Sequence, residues 1–398
     1  MSPLSVESSS VESSHRLLEC ICDRIHSTPH QRITFASYMD LALYHPDYGY
    51  YTTKASILGP DGDFITSPHL GHDFGELLAV QFADMWHSLG QPTPFQVVEM
   101  GAGQGLIAAD VLTYLQQYQP DCYGALDYII IEKSPALRSQ QQTRLTHKKV
   151  TWTTLDELTP ITGCFFSNEL IDAFPVHIIQ KNNNQLQEVY VTTQDSALQE
   201  TLGPLSTDQL TQYADLVAID FLNDTYLDGY RTEVNLAALD WLDTVSSRIA
   251  RGFLLTIDYG HTAQRYYSPA RHKGTLKCYY QHSHYDDPYT NIGQQDLTAH
   301  IDFTALQRHG NNVGLSTLGF TQQGLFLMAL GLGDRVANLA QTITPGPDGF
   351  NQLIQRRSAL HQLMDMSPMG LGTFGVLIQG KGIEDDIPLK GLTIPPLS

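Results

Sequence analysis

The stretch QVVEMGAGQG, residues 96–105, has the pattern of a strand that ends in an acid and is followed by a glycine turn. The apolar run Phe95–Met100 comes directly after Pro94, and this composition predicts a short buried strand. Apolar residues then recur at helical spacing over Leu106–Tyr118, and Pro120 ends the pattern. Strand, glycine turn and helix form the first half of a βαβ nucleotide-binding unit, in which backbone N–H groups at the helix N-terminus face a ligand.

The spacing of the glycines distinguishes a dinucleotide-binding site from a SAM-binding site. Gly101, Gly103 and Gly105 give G-x-G-x-G, whereas dinucleotide-binding folds use G-x-G-x-x-G, in which the second glycine admits a pyrophosphate. With the acid Glu99 before the turn, the pattern resembles motif I of class I S-adenosylmethionine (SAM) methyltransferases. The resemblance implies that Glu99 and the three glycines contact SAM. A glycine triplet alone is also compatible with an ordinary tight turn, but the preceding acid and the following helix favour the SAM interpretation.

Composition and charge exclude several classes of function. The 398 residues carry a formal net charge of −19, which does not fit non-specific binding to nucleic acid or to anionic membranes. No apolar run reaches the ~18–20 residues that a membrane-spanning helix needs. The five cysteines are scattered without a C-x-x-C pair, so neither a disulfide framework nor a zinc site is predicted. We therefore expect no nucleic-acid partner, no membrane span and a cytoplasmic location.

The length allows two or three domains, or one large α/β core with insertions. Residues 1–14 are rich in serine and contain no basic residue, which predicts a disordered tail and not a signal or transit peptide. Amphipathic patterns over residues 15–94 predict an N-terminal helical cap. The core is predicted at residues 95–385, with an inserted hairpin and helical segment at about 176–250, and a C-terminal tail at 386–398.

Acids also follow the next predicted strands. The apolar run at residues 126–131 ends at Glu132, whose carboxylate is suited to accept hydrogen bonds from both hydroxyls of a ribose. Residues 150–152 predict a third strand, and Asp156 or Glu157 in the loop after it is a candidate for binding an adenine amino group. These positions predict a nucleoside-binding half-site beside the glycine turn.

The fourth predicted strand is followed by the side chains that we expect nearest to the reaction. In a doubly wound sheet, ligands bind at the carboxyl ends of the strands, and the first and fourth strands are neighbours at the switch point. Asn168, Glu169 and Asp172 should therefore face the reacting methyl group. A fifth buried strand ends in another acid, Asp258.

These motifs closely resemble the MidA-like family of class I SAM-dependent methyltransferases over roughly residues 30–385. The blocks that carry the resemblance are YGYY at 48–51, GDFITSP at 62–68, EMGAGQG at 99–105, NELIDAFP at 168–175, DYG at 258–260 and DLTAH at 296–300. The resemblance implies an α/β, Rossmann-like sheet that is mostly parallel and has an antiparallel C-terminal strand. It also implies SAM as cofactor, with Thr66, Ser67 and Asn168 among the residues that contact it.

The mitochondrial members of this family assist the assembly of respiratory complex I. The resemblance therefore implies methylation of arginine in a protein substrate, a subunit of a complex I-type assembly. The chain departs from the family pattern at His69, where a glutamate is usual, and at Lys277, where arginine is frequent. Details of binding near these two positions are expected to differ from those of other members.

The acids after the strands fit the chemistry of arginine methylation. A guanidinium has a pKa above ~12 and is a poor nucleophile, so carboxylates are needed to hold the cation and align one nitrogen with the methyl group. We predict Glu169 as the main guanidinium-binding carboxylate, with Asp172 either supporting it or capping a local helix. Second contributors are predicted among three further acids: Asp258, Asp296 and Asp302. Asp296, His300 and Asp302 do not form a recognised metal-ligand pattern, and no metal is expected.

Three alternatives to an arginine methyltransferase stay open at this point. The chain could be an assembly chaperone whose SAM-binding fold mainly binds a partner subunit, or a methyltransferase acting on a small molecule. An NAD-linked oxidoreductase is the third, and the absence of G-x-G-x-x-G counts against it. The sequence leaves the oligomeric state open, with a homodimer as one option.

Overall fold

The computed structural model describes residues 3–53, 66–195, 197–280, 283–339, 347–368, 370–384 and 386–394. Residues 62–65 of the GDFITSP block lie outside these ranges. Within them, the α-helices are α1 (Pro3–His26), α2 (Phe35–Tyr44), α3 (Tyr50–Thr53), α4 (Asp73–Ser88), α5 (Leu106–Tyr118), α6 (Pro120–Ala125), α7 (Pro135–Arg144), α8 (Gln209–Val217), α9 (Leu236–Ser247), α10 (Ala263–Tyr266), α11 (Phe303–Asn312), α12 (Gln323–Ala329), α13 (Leu332–Ala337) and α14 (Pro347–Leu363).

The strands are short and lie in both halves of the chain. In order they are β1 (Arg32–Thr34), β2 (Phe95–Met100), β3 (Leu126–Ile131), β4 (Val150–Thr153), β5 (Ile161–Asn168), β6 (His177–Asn182), β7 (Gln185–Gln194), β8 (Ala197–Gly203), β9 (Arg231–Val234), β10 (Ile249–Asp258), β11 (Gly260–His261), β12 (Lys277–Tyr280), β13 (Ser283–Tyr285), β14 (Asp296–Thr298), β15 (Ile301–Asp302), β16 (Ser316–Gln322) and β17 (Gly375–Lys381). Short 3₁₀ helices lie at Ser67–Leu70, Ile171–Ala173, Leu371–Thr373 and Lys390–Leu392.

The largest sheet in the described part of the chain has seven strands in the order β16-β17-β10-β5-β2-β3-β4. Strands β10, β5, β2, β3 and β4 are parallel, whereas β17 is antiparallel to both of its neighbours. This confirms the predicted mostly parallel sheet with an antiparallel C-terminal strand. It also confirms that the first and fourth strands of the motif, β2 and β5, are neighbours. The strand order reverses between them, and their carboxyl ends border the crevice where ligands bind in such sheets.

The chain divides into two compact units, each built from three segments. The core unit comprises Phe64–Leu170, Leu242–Tyr259 and Gly310–Ser398, and it contains the seven-stranded sheet. Helices α4 and α5 cover one face of that sheet, because the apolar residues of α4 recur at helical spacing and those of the strands alternate. Phe82 of α4, for example, packs edge-on against Phe166 of β5, and both are almost fully buried.

The accessory unit comprises Met1–Asp63, Ile171–Trp241 and Gly260–His309. Its antiparallel sheet has the order β1-β7-β6-β9, and β8 also pairs with β7. A second sheet, β13-β12-β14, is antiparallel as well. The apolar face of α1 is fully buried in this unit through Leu17, Ile21 and Ile25.

The two units differ from the predicted domain boundaries. The structure assigns α4 to the core unit, not to an N-terminal cap, because its apolar face packs on the seven-stranded sheet. The accessory unit takes in segment 171–241 and also 260–309, and its central elements are paired strands rather than helices. The hairpin predicted near residue 176 is present as β6 and β7. The predicted C-terminal tail contains Leu389, which is buried in the core unit.

Residues 3–14 are helical in place of the predicted disordered tail, because α1 extends continuously from Pro3. Extending a helix that buried residues already hold is cheap compared with nucleating one, so a polar sequence can continue it. Within the described ranges, none of the helices is both long and apolar enough to cross a membrane.

Candidate active site

The glycine turn after β2 has the backbone geometry that a closely approaching ligand requires. Gly101, Gly103 and Gly105 have φ angles of 68°, 52° and 75°, in the left-handed region that glycine adopts at little cost. A Cβ atom at Gly101 would lie 2.7 Å from Cδ1 of Leu170. Gly105 is the N-cap of α5 and has no side chain with which to bond the N–H groups of the first helical turn. The turn therefore leaves a space beside its backbone, and any side chain in place of these glycines would fill that space.

Glu99 is buried beside this turn. It is 2% exposed, and its Oε2 accepts a hydrogen bond of 2.8 Å from the hydroxyl of Tyr128 on β3. Burial raises the pKa of Glu99 to about 7; the hydrogen bond from Tyr128 opposes this shift and the charge of Glu132 adds to it. Glu99 and Glu132 are thus close enough to repel each other, and a bound cation would favour the ionised form of both.

Glu132 is held by a residue that sequence reasoning missed, Gln141 of α7. The amide Nε2 of Gln141 donates hydrogen bonds to the carbonyl oxygen of Gly103, at 2.8 Å, and to Oε2 of Glu132, at 3.0 Å. Its Oε1 accepts a hydrogen bond of 3.0 Å from the indole of Trp152, and the residue is fully buried. Burial raises the pKa of Glu132, although hydrogen bonds from the backbone N–H of Ser134 and from Gln141 oppose this.

The signal that could have found Gln141 lies in the sequence of α7. Gln141 is four residues from both Leu137 and Leu145, which are buried, so it lies on the apolar face of its helix. A polar side chain on a buried helix face needs hydrogen-bond partners, and here they are the carbonyl oxygen of Gly103 and the carboxylate of Glu132. Gln141 therefore fixes the orientation of two predicted cofactor contacts at once.

Three other predicted cofactor contacts have different surroundings. The side chain of Asp156 is exposed, and its carbonyl oxygen accepts a hydrogen bond of 3.2 Å from Arg248. The hydroxyl of Thr66 lies 2.8 Å from Nδ1 of His69, and Ser67 is fully buried and accepts a hydrogen bond of 3.1 Å from Nε2 of Gln323. Contacts of Thr66, Ser67 and Asp156 with a cofactor stay predictions.

A short 3₁₀ helix precedes α4 in this segment. Thr66 is the N-cap of this 3₁₀ helix, which comprises Ser67–Leu70. Gly71, with a φ of 134°, separates that turn from α4, which begins at Asp73. The helical pattern of the sequence is therefore divided between two elements.

The carboxyl end of β5 carries a strained glutamate. Glu169 has a φ of 49°, a left-handed conformation that costs a non-glycine residue about 1 kcal/mol or more. Its N–H donates to the carbonyl oxygen of Ile257 on β10, at 2.9 Å. Nδ2 of Asn168 donates to Oε1 of Glu169 at 3.1 Å, and Oδ1 of Asn168 is buried with no hydrogen-bond partner among the described residues. Such strain and a buried acceptor concentrate at ligand sites.

The strand register separates the acids at the sheet edge into two faces. Asn168 is directly opposite Ile257, so their side chains share a face, and Asp258 projects from the other. Val97, Ile130 and Ile257 belong to one apolar cluster with α5, which places Glu99 and Glu132 on the same face as Asn168. Asp258 is fully buried and accepts a hydrogen bond of 2.9 Å from the N–H of Tyr259. The structure thus brings Glu99, Glu132 and Asn168 onto one face and leaves Asp258 on the opposite one.

The other predicted acids belong to the accessory unit. Asp172, 6% exposed, lies in the 3₁₀ helix Ile171–Ala173. Asp302 accepts hydrogen bonds from the N–H groups of Thr304 and Ala305 at the start of α11, and burial raises its pKa to about 6. Asp302 is therefore in the position of a helix N-cap.

Two further polar positions of this unit have protein contacts. Asp296 accepts hydrogen bonds from Tyr51 and from the N–H of Leu297. His300 packs edge-on against His261, and burial together with the charge of His261 lowers the pKa of His300 to about 3.

The carboxylates of one acidic cluster in the core unit form ion pairs with two arginines. Among the described residues, the set of side chains close enough to share a metal ion is His72, Asp73 and Glu76. Asp73 accepts two hydrogen bonds from Arg356, of 2.9 and 2.8 Å, and one of 2.7 Å from Arg335, which also pairs with Glu76. Burial acts to raise the pKa of Asp73, but the hydrogen bonds and charges of the two arginines lower it below its ordinary value.

Comparison with known proteins identifies the protein family in which this glycine turn and the acids around it occur. A family model described as "Putative S-adenosyl-L-methionine-dependent methyltransferase" matches residues 77–321, more than half of the chain. The chain belongs to this family. It is a SAM-dependent methyltransferase with the class I fold, as the motif resemblance implied.

Relatives and a solved structure extend the family assignment to most of the chain. The protein arginine methyltransferase NDUFAF7, mitochondrial, of Rattus norvegicus is 30% identical over 332 residues, which are 76% of this chain and 72% of the relative. The NDUFAF7 homolog of Drosophila melanogaster is 29% identical over 370 residues, 85% of this chain and 79% of the relative. A crystal structure of a COG1565 superfamily member from Burkholderia thailandensis, bound to S-adenosyl-homocysteine, has a TM-score of 0.83 at 30% identity and covers 96% of each chain.

The relatives correct the predicted location. The names of the rat and fly proteins place them in mitochondria, which contradicts the cytoplasmic location expected from the cysteine usage. Cysteine usage is a poor guide to location, because free thiols are compatible with more than one compartment.

The residues of this chain fit the cofactor of the methyltransferase family. The space beside the glycine turn allows close approach of a ligand, and Glu132 is positioned by Gln141 to accept ribose hydroxyl donors. The buried Oδ1 of Asn168 is an acceptor for an ammonium donor, and SAM carries an amino-acid ammonium group. When ionised, Glu99 and Glu132 would supply negative charge to a cofactor that is itself cationic at its sulfonium.

The pKa of Glu99 predicts how cofactor binding depends on pH. Because its pKa is raised to about 7, Glu99 is neutral below that value and becomes an anion as pH rises through it. Ionised Glu99 attracts the cationic cofactor, so we expect SAM affinity to increase up to about tenfold between pH 6 and pH 8. Calorimetric titration of the wild type and of Glu99→Gln measures this; the ratio of their dissociation constants should change over that range. A ratio that is constant with pH would contradict the role given to Glu99.

Proposed function

We propose that this methyltransferase modifies the guanidinium group of an arginine in a protein substrate, and that the substrate is a subunit of a respiratory complex I-type assembly. The printed names of the relatives, protein arginine methyltransferase, support the reaction and the class of acceptor. The MidA-like motifs support the assembly, because mitochondrial members of that family assist complex I. The structural observation that carries the proposal is the strained Glu169, held by Asn168 at the carboxyl end of β5.

The residues at this strand end have the chemistry that a guanidinium acceptor needs. When bound, SAM supplies a methyl group on a sulfonium sulfur, and the C–S electron pair stays on sulfur as the N–C bond forms. The carboxylate of Glu169 holds the guanidinium, draws its positive charge away from the attacking nitrogen and accepts the proton that this nitrogen loses. A carboxylate can do this because it offers two acceptor oxygens to the planar N–H fork of arginine.

Asn168 serves both partners of the reaction in this proposal. Its Nδ2 keeps Oε1 of Glu169 in place through the 3.1 Å hydrogen bond, and its buried Oδ1 accepts a hydrogen bond from the cofactor ammonium. The hydrogen bond from Asn168 thus holds the side chain of Glu169 in position before the arginine binds. Asp258 projects from the opposite face of the sheet and takes no part in this proposal.

Replacing Glu169 by glutamine tests the proposal. Glu169→Gln keeps the size and one acceptor oxygen but removes the charge, and we expect arginine methylation to fall about 30-fold, equivalent to about 2 kcal/mol of transition-state stabilisation. The measurement is transfer of labelled methyl groups from SAM to subunits of a complex I-type assembly, with the modified residue identified by mass spectrometry. Asp121→Asn, an exposed acid on α6, is the matched control and should leave the rate unchanged.

The assembly-chaperone alternative gives a different result in the same experiment. A chaperone would bind the partner subunit equally well as wild type and as Glu169→Gln, with no arginine modified by either. Labelling of a small molecule and of no protein would instead identify a small-molecule methyltransferase. Equal arginine labelling by wild type and variant would remove Glu169 from the reaction.

A further inference from the structure

We infer that Trp152 and Gln141 are positioning residues for the cofactor. The indole of Trp152 orients the amide of Gln141, and Gln141 orients Glu132 to accept the ribose hydroxyls, so the preference for an intact ribose depends on Trp152 through Gln141. The inference rests on the predicted contact between Glu132 and the ribose, and not on the identity of the methyl acceptor. It gives a function to Trp152, to which the sequence assigned none.

The residues of this hydrogen-bond network all belong to the core unit. Trp152 is the third residue of β4 and is directly opposite Ile130 of β3 in the parallel register. Paired residues of parallel strands project from the same face, and Glu132 follows Ile130 by two residues, so Trp152 and Glu132 share a face. Helix α7, which connects β3 to β4, carries Gln141 to a position where it contacts both side chains.

The hydrogen bonds of Gln141 can be made in only one orientation of its amide. Nε2 lies 2.8 Å from the carbonyl oxygen of Gly103 and 3.0 Å from Oε2 of Glu132, and a carbonyl or an ionised carboxylate only accepts. Oε1 lies 3.0 Å from the indole nitrogen of Trp152, which only donates. A flipped amide would place its oxygen against two other oxygens and its NH₂ group against an N–H. Trp152 therefore holds Gln141 in the orientation in which it donates to Glu132.

Glu132 is ordered by this contact and still has acceptor capacity. Its Oε1 accepts a hydrogen bond of 2.9 Å from the N–H of Ser134, and its Oε2 accepts the one from Gln141. The backbone of Lys133 makes a smaller contribution. An ionised carboxylate accepts about four hydrogen bonds, and Glu132 is half-buried, so a ribose can still bind it.

The hydrogen bond from Gln141 also favours the anionic form of Glu132. Burial raises the pKa of Glu132, whereas the hydrogen bonds from Ser134 and Gln141 lower it. A carboxylate anion accepts hydrogen bonds from hydroxyls more strongly than a neutral carboxyl does. Loss of Gln141 would therefore weaken the ribose contact through both the orientation and the charge of Glu132.

Gln141 fixes the glycine turn relative to Glu132 as well. Its other donated hydrogen bond goes to the carbonyl oxygen of Gly103, and its Cγ lies 3.4 Å from the position that a Cβ at Gly105 would take. The side chain is fully buried, where hydrogen bonds are stronger than in water. The spacing between two predicted cofactor contacts is thus set before the cofactor binds, which reduces the ordering that binding requires.

Calorimetric titration of the full-length protein with two ligands tests the inference. The ligands are S-adenosyl-homocysteine and its analogue without the two ribose hydroxyls, and the ratio of their dissociation constants is compared. We expect the wild type to bind the analogue at least about tenfold more weakly, because the hydrogen bonds to Glu132 are lost. Trp152→Phe, which removes the indole N–H, and Gln141→Leu should each reduce this ratio by at least about threefold.

Two matched controls belong to the same unit. The indole of Trp86 donates a hydrogen bond of 3.0 Å to the carbonyl oxygen of Pro92, which precedes β2 and so lies at the opposite end of that strand from the glycine turn. Trp86→Phe removes an equivalent hydrogen bond and should leave the ratio unchanged. Gln142→Leu changes an exposed glutamine of α7 and should leave it unchanged too.

Three results would overturn the inference. A wild-type ratio close to one would mean that Glu132 does not recognise the ribose. An unchanged ratio in Trp152→Phe and Gln141→Leu, with both ligands weakened equally, would mean that the network only stabilises the fold. A reduced ratio in Gln141→Leu but not in Trp152→Phe would remove Trp152 from cofactor positioning. If Gln141→Leu does not fold, Trp152→Phe decides alone, because it keeps an aromatic ring at its position.

Discussion

Gly101→Val should abolish SAM binding while leaving the protein folded. Valine at a φ of 68° is a conformation that β-branched residues essentially do not adopt, and its Cβ would lie 2.7 Å from Leu170. The turn must move to relieve both conflicts. The space beside its backbone, in which we expect the cofactor to bind, is then lost. We expect the dissociation constant for SAM to rise at least 100-fold, equivalent to about 2.7 kcal/mol, in a calorimetric titration.

Gly124→Ala is the matched control for this substitution. Gly124 lies in α6, and a Cβ atom there would meet nothing within 4 Å. Alanine should be neutral or slightly stabilising at this helical position, with SAM affinity unchanged. Wild-type affinity in Gly101→Val would mean that the glycine turn does not contact the cofactor.

Asp73→Asn should destabilise the core unit by about 3–5 kcal/mol, because it removes the shared carboxylate from two arginines that are largely buried. The side chains of Arg335 and Arg356 are 16% and 28% exposed. Asp73 accepts hydrogen bonds from Arg356 with both of its oxygens and from Arg335 with Oδ1. Glu76 remains as a partner for Arg335, which favours the lower part of that range. Urea-induced unfolding of wild type and variant measures the difference.

The lowered pKa of Asp73 gives the same prediction a pH dependence. Its ion pairs contribute stability that is present above the ordinary pKa of an aspartate and is lost as pH falls through the lower value of the folded state. Asp127→Asn is the control, because Asp127 pairs with Lys149 on the surface, with both side chains about half exposed, and should cost less than about 1 kcal/mol. Equal effects of the two substitutions would contradict the role of the buried pairs.

The elements set by local sequence were predictable, and those set by distant partners were not. The strand, turn and helix of residues 95–118 follow from apolar periodicity and glycine spacing, and the structure has them at the same bounds. Asp73 meets Arg356 across 283 positions of the chain, and no local pattern shows such a pair. The pairing of β1 with β7, which makes the N-terminal segment part of the accessory unit, is hidden for the same reason.

In the candidate site, too, the residues marked by local sequence could be predicted and those that depend on distant partners could not. Glu132 and Asn168 could be named because acids and amides after buried strands meet at one sheet edge. Gln141 was missed because polar residues in a helix are usually exposed, and only its phase with two leucines marks it as buried. The separation of Asp258 from Asn168 depends on strand register, which becomes visible only when the strands are paired.

The position of β17 has a consequence for how the protein is made. This strand lies between β10 and β16 in the sheet, yet it follows both of them in the chain and is therefore synthesised after them. Until β17 arrives, β10 exposes an unpaired edge, and at typical translation speeds that interval is on the order of ten seconds. The nascent chain is therefore open to wrong strand pairing during this time, and folding of the core unit should finish only after β17 has been synthesised.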